Sequence, residues 1–256
     1  MVLRIGLLSD VHYGIDTEYQ KGRYAPALLK EFVRAMDEFQ PHLIVELGDR
    51  MNNMSCGDDG NHLLRVAASL RSVRCRVQYV LGNHDLVHLG KEEITELVGQ
   101  TMRDLEVTVH HGFPMLFVNS EGPRPSLNLD LMAGSEKTAF VFSHRPLLPV
   151  PLENHRLFPK GSVQHCPWGE GLIQELTAAG WSPICIHGHL HWNYCFVQGS
   201  VIQVCIPSPV DIWEVGKPAG SFGKLVIQDG AVHLDIAGHL PAHYTFQIKG
   251  GEHEIR

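Results

Sequence analysis

The sequence predicts an α/β protein built as a four-layer α-β-β-α sandwich: two facing mixed sheets with helices outside, in one domain over 1–256. Three observations carry this. The first half alternates short apolar runs with amphipathic helical segments. The second half is mostly short strands set off by turn glycines, with one clear helix. No linker, repeat or low-complexity tract divides the chain. Helices and sheets must each bury an apolar side, and two sheets packed together under outer helices satisfy both halves. At 256 residues, 44% of them hydrophobic, the chain is long enough for one such core.

The first element is "VLRIGLLSD" (2–10), a short apolar run ending in polar residues and so a buried strand. A helix follows over 25–39: Leu28, Leu29, Phe32, Val33, Met36 and Phe39 recur at helical spacing, and Pro26 suits the first turn. Segment 42–49 reads as a second buried strand, 62–73 as a helix, 76–85 as a strand running into a turn, and 91–102 as a helix. Strands are expected at 107–112, 114–120, 138–144, 183–189, 194–206, 223–236 and 244–248, with a helix at 168–180. Asp229–Gly230 between alternating runs signals a hairpin. The Pro-rich stretch 145–167 is a long irregular loop, and loops of that length in a compact domain are usually functional or mobile.

The formal net charge of −7 argues against a protein that coats nucleic acid or an anionic membrane, since phosphate backbones want a basic surface. It does not oppose a small anionic substrate held by a metal. The opening run "MVLRIGLLSD" is too short for a signal-peptide core, and no stretch reaches the roughly 20 apolar residues of a membrane helix. The six cysteines show no CxxC spacing and read as reduced packing residues. The expectation is a cytoplasmic enzyme.

Histidine is the unusual count, at 17. His42, His62, His88, His155, His233, His239, His243 and His253 read as surface or satisfied structural residues, as does the pair His110–His111 beside a turn glycine. Most of the others gather where apolar runs end. The first run ends in Asp10 and His12, the second in Asp49, the third in Asn83, His84 and Asp85. "TAFVFSHRP" delivers His144, and "PICIHGHLHWN" delivers His189 and His191. Taken singly, each fragment is a plausible turn; GNHD suits one well. Together they place ligand-type residues at five strand ends, and the carboxyl ends of strands are where sites form in open α/β sheets. Two carboxylates, four imidazoles and one carboxamide make seven ligands, too many for one ion and suited to two that share a carboxylate. Mixed oxygen and nitrogen donors without thiolate suit Mn²⁺, Fe, Zn²⁺ or Co²⁺. Two such ions about 3.5–4 Å apart form the clamp used in phosphoryl displacement.

The order D-x-H, G-D, G-N-H-D, H, G-H-x-H over residues 10–191 resembles the calcineurin-like metallophosphoesterases. The resemblance implies a phosphodiester or phosphomonoester hydrolase acting by attack of a metal-bridging hydroxide. It implies that Asp10, His12 and His191 hold one divalent transition-metal ion and Asn83, His144 and His189 the other, with Asp49 bridging. His84 would protonate the leaving oxygen or stabilise its charge and, with Asn83, face the substrate, and Asp85 would orient His84. In a turn, His189 and His191 can diverge to different ions, and Gly188 lets the backbone approach. His187 has no role in the pattern and reads as a strand-end histidine with a backbone partner.

Where many members carry a second histidine after the one at 144, this chain has Arg145, whose guanidinium could meet a phosphate but which reads first as a loop-pairing or surface residue. The motif set also meets that of the class III cyclic-nucleotide phosphodiesterases, which this chain resembles. The insert with Lys21, Arg23 and Tyr24 resembles the manganese-dependent ADP-ribose and CDP-alcohol pyrophosphatases, which gives a nucleoside-diphosphate-linked pyrophosphatase as the alternative. A reading of another class is a non-catalytic scaffold on the same fold, which would be expected to have lost ligands or the residue at His84. The expected partner is a small phosphoester, without membrane or nucleic acid.

Overall fold

In chain order the elements are β1 (Val2–Leu8), α1 (Ala25–Phe39), β2 (Leu43–Glu46), α2 (Cys56–Arg71), β3 (Arg76–Tyr79), α3 (Lys91–Val98), β4 (Leu105–His110), β5 (Phe113–Val118), β6 (Thr138–Ser143), α4 (Gly169–Ala178), β7 (Ser182–His187), β8 (Tyr194–Gln198), β9 (Val201–Cys205), β10 (Ile212–Glu214), β11 (Lys217–Pro218), β12 (Phe222–Gln228), β13 (Ala231–Ala237) and β14 (Ala242–Gln247). This computed structural model describes residues 2–214 and 216–248, so His253 lies outside the described residues.

Two mixed six-stranded sheets result, ordered β14-β13-β12-β1-β2-β3 and β4-β5-β6-β7-β9-β8. The neighbours β1-β2-β3 run parallel, as do β5-β6-β7-β9. All their carboxyl ends therefore open on connecting loops, while antiparallel strands finish each sheet. Strand periodicity sets the layers. Leu3, Ile5 and Leu7 of β1 point between the sheets, into one core with Phe117, Phe142, Ile186 and Val204 of the opposite sheet. Leu8 of β1 and Ile44 of β2 belong to the outer core, with Phe32 and Met36 of α1 and Leu63 and Val66 of α2. On the far side, Leu172, Ile173 and Leu176 of α4 cover Val141 and Cys185. The order is helix, sheet, sheet, helix, as the apolar patterning predicts.

Helix α1 has its expected limits; Gln40 closes it in a left-handed conformation with its N–H on Met36 O. Helix α2 begins six residues before the expected 62, at Cys56. Its two early glycines disguise the start, but Ser55 caps it by accepting from Asp58 N, and Asp58 and Asp59 lie in the first turn, where the helix dipole favours carboxylates. β1, β2 and β3 stop short of their expected carboxyl limits of 10, 49 and 85. The residues that leave the ladder there build the site. Asp229–Gly230 makes the expected hairpin turn between β12 and β13.

Candidate metal centre

The ends of β1, β2, β3, β6 and β7 bring their polar residues to one point at the rim between the sheets. Asp10, His12 and His191 offer donor atoms within 4.8 Å of one another, and so do Asp49, His144 and His189. His191 Nε2 lies 3.2 Å from Asp10 Oδ1 and 3.1 Å from His12 Nε2. His144 Nε2 lies 3.2 Å from Asp49 Oδ2 and 3.1 Å from Asn83 Oδ1. The same Asp49 Oδ2 is 3.7 Å from His12 Nε2, so one carboxylate oxygen stands between the two groups. Asp49 Oδ1 is engaged separately, accepting from His84 N at 2.7 Å. All seven sequence-predicted donors thus meet in two clusters joined through Asp49.

The backbone bends sharply to achieve this. Among the described residues nine non-glycine residues have positive φ, and six of them are Asp10, His12, Asp49, Asn53, His189 and His191. Such conformations cost on the order of 1 kcal/mol each and persist only where the surroundings hold them. At Gly188 the need is for space: a Cβ there would run into Ser9 Oγ and Asp10 Oδ2. A Cβ at Gly82 would meet Asp49 in the same way.

The donor chemistry fits a pair of divalent cations. His12 and His191 aim ring nitrogens at each other between two carboxylates, and His12 Nδ1 is buried without a partner. Burial holds His12 neutral, down to about 4. Burial also lowers His189, with His144 and Arg145 adding to it. For His144 burial opposes the charge, but Asp49 outweighs it and pushes the imidazole up to about 10. Burial likewise opposes charge on His191, and Asp211 and Asp10 overcome it. Protons now compensate carboxylates that cations can compensate instead.

His84 borders the first cluster: its ring stands edge-on to that of His12, with centroids 4.8 Å apart. Asp85 does not orient it. The Asp85 carboxylate is fully buried and accepts from Asp49 N at 3.1 Å, Arg50 N and Gly82 N at 2.9 Å, and Arg50 Nη1 at 2.6 Å. Three backbone donors and a guanidinium use up its oxygens, so it ties the β2 and β3 turns together beneath Asp49. The group at His84 Nδ1 is the amide of Asn53, 2.6 Å away, which pattern reading missed. Asp211 was missed too: Oδ1 lies 2.8 Å from His191 Nδ1. Its signal was available, because it follows β9 as the other site residues follow their strands.

His187 takes the structural part expected of it, with Nδ1 on Gly188 O at 2.8 Å and Nε2 on the Tyr194 hydroxyl at 2.6 Å. Arg145 pairs with Glu121 across two loops, its Nε 2.9 and 3.0 Å from the carboxylate oxygens. Lys21 Nζ and Arg23 Nε both lie on Asp16, at 3.4 and 3.1 Å.

The model of the calcineurin-like phosphoesterase family matches residues 3–193 of this chain. Among solved structures, a dimetal phosphatase from Danio rerio aligns with a TM-score of 0.73 at 14% identity, covering 96% of this chain and 99% of that one. A purple acid phosphatase from yellow lupin (Lupinus luteus) seeds aligns with a TM-score of 0.58 at 11% identity, covering 100% of this chain and 53% of that one. At such identities the likeness is one of fold. No curated protein matches the sequence.

Proposed function

The chain belongs to the calcineurin-like phosphoesterase family, and on that premise we propose that it hydrolyses esters of a single phosphate, diesters or monoesters, with two divalent transition-metal ions. The observation that carries this is Asp49 Oδ2, shared between the His12 and His144 sides of a buried donor set. Asp10, His12 and His191 would hold one ion, Asn83, His144 and His189 the other, and Asp49 both. When bound, such ions supply the charge that offsets a phosphoryl group and make water a competent nucleophile near neutral pH.

The remaining steps belong to the chain itself. Asp85 and Arg50 lock the turn that presents Asp49. The Asn53 amide at Nδ1 of His84 leaves Nε2 as the nitrogen that carries a proton, ready to give it to the leaving oxygen. The half-buried Asn83 and His84 lie at the site's exposed edge, where a substrate would enter. Lys21 and Arg23 share the single Asp16 carboxylate, which leaves one net positive charge among those three side chains and makes ADP-ribose the discriminating substrate in the assay.

The test is a Mn²⁺-supplemented assay over cyclic nucleotides, bis-p-nitrophenyl phosphate, phosphomonoesters and ADP-ribose, with metal analysis of the purified protein. About two bound ions and turnover of mono- or diesters are expected. Turnover of ADP-ribose alone would make it a pyrophosphatase, and absence of both bound metal and turnover would make it a scaffold.

A further inference from the structure

The long loop 145–167 leaves β6 directly after His144 and returns to its own start, where Cys166 N donates to Pro146 O at 2.8 Å. The buried Gln203 staples its base, accepting from Leu147 N and Leu148 N and donating to Leu148 O. Between these points the loop reaches three successive residues of the turn after β7, His189 and Leu190 directly and His191 through Asp211. Gln164 Oε1 lies 2.9 Å from His189 Nε2. His155 Nε2 donates to Leu190 O at 2.8 Å, its tautomer set by the Leu157 N–H on Nδ1. Arg156 Nη2 holds Asp211 Oδ2 at 2.5 Å, and the other oxygen of Asp211 meets His191 Nδ1. Phe158 lies against the His189 ring, centroids 5.3 Å apart.

A neutral imidazole has one N–H and one bare nitrogen, and only the bare one binds a metal. We propose that loop 145–167 is a strap that gives His189 and His191 opposite tautomers, with Gln164 and the Asp211–Arg156 pair as the positioning residues. The Gln164 carbonyl oxygen can only accept, so it draws the His189 proton to Nε2 and leaves Nδ1 bare. Asp211 can only accept, so it fixes a proton on His191 Nδ1; Asp10 likewise accepts at Nε2, and that nitrogen becomes bare once a cation takes the place of its proton. Opposite bare nitrogens on two left-handed residues one apart let a single turn serve two clusters. Arg145 competes for the same atom: its Nη1 is 3.0 Å from His189 Nε2, and a guanidinium can only donate. If Arg145 prevailed, the proton would sit on Nδ1 and His189 could not ligate through it. Glu121 holds the Arg145 Nε and fixes the guanidinium beside His189, so the Gln164 acceptor has to prevail over it.

The inference rests on the two-metal reading for its consequence but not for its first measurement. Ring-nitrogen NMR of the metal-free protein reads the tautomers directly. Protonated Nε2 with bare Nδ1 is expected on His189 in the metal-free protein, where His191 carries protons on both nitrogens; on loading with diamagnetic Zn²⁺, His191 should keep its Nδ1–H and lose its Nε2–H. Gln164→Leu should lose the first signature, and Gln164→Glu, which keeps an acceptor, should retain it. In Mn²⁺ titrations Gln164→Leu should weaken one of two sites by about 10–100-fold, as loss of such outer partners does. Asp211→Ala should weaken the other, with Asp211→Asn partly restoring it. Phe158→Ala loosens the strap without touching a ring nitrogen and should leave the His189 tautomer unchanged. A parent protein with Nδ1 of His189 protonated, or the same tautomer in Gln164→Leu as in the parent, overturns the proposal. So does an equal shift in Phe158→Ala. A parent that binds no Mn²⁺ while showing the expected tautomers would overturn the two-metal reading instead.

Discussion

His84 turns Nδ1 to the side-chain amide of Asn53, 2.6 Å away, while Asp85 three backbone donors deep lies under Asp49. The amide N–H on Nδ1 keeps the His84 proton on Nε2. His84→Ala should therefore cost about 10²–10⁴-fold in kcat/KM on an alkyl phosphoester, the usual size of acid catalysis, and far less on p-nitrophenyl esters, whose leaving group is weakly basic. Asn53→Ala should show the same leaving-group bias in weaker form. Metal content, determined on the same samples, should stay at the parental level. Loss of an ion in His84→Ala would make His84 a ligand rather than an acid.

Asp49→Ala removes the carboxylate between the His12 and His144 sides. Both ions should be lost together, and activity should fall by about three orders of magnitude or more, beyond rescue by moderate Mn²⁺. Native affinity at either site in this variant, measured by titration, would contradict the shared-ligand assignment.

Asp85→Ala should act on stability first. Arg50 is fully buried, and the change strips its guanidinium of one carboxylate and leaves three backbone N–H groups without their acceptor. Breaking a buried pair from one side costs about 3–5 kcal/mol. Urea unfolding of the metal-free protein should show a loss of that order. A loss below about 1 kcal/mol would mean that Glu46, whose Oε2 is 2.6 Å from Arg50 Nη2, has taken over.

Glu46 carries a pH signature. Burial raises its carboxyl from the ordinary 4.5 to about 8, against the pull of Arg50, which Asp85 shares. A folded-state value above the unfolded one means that its contribution to stability is complete below about 4.5 and is lost as pH rises towards and through about 8. Within that window the slope from one such group is about 1.4 kcal/mol per pH unit. Glu46→Gln cannot ionise and should flatten the alkaline decline in denaturation midpoints of the metal-free protein. An unchanged pH profile would show that Glu46 is ionised in the folded state.

The layers of the fold are readable in the chain because they follow from periodicity. Leu3, Ile5 and Leu7 alternate to one face of β1, and the six apolar positions of α1 recur at helical spacing. Helix α2 shows the limit: two early glycines hide a start that Ser55 and two aspartates define. The candidate metal donors are readable for a related reason. Each follows a short apolar run, and parallel strands deliver their carboxyl ends to one rim. Residue type and position after a strand therefore determine which side chains can be ligands.

What only the tertiary structure decided is which atom of each side chain faces which partner. Asn53 and His84 are 31 residues apart, Gln164 and His189 25, and His191 and Asp211 20. No local period connects such pairs. They meet because two sheets close face to face and a long loop folds back over the rim. For the same reason Asp85 left the part its neighbour His84 suggested: adjacent residues in a turn point apart, and the buried Arg50 with three backbone donors offered its carboxylate more than one imidazole could. Residue chemistry in the sequence marked the candidate donors; the packing of distant segments set their hydrogen-bond partners, the oxygen of Asp49 that stands between the two clusters and the left-handed backbone that aims them.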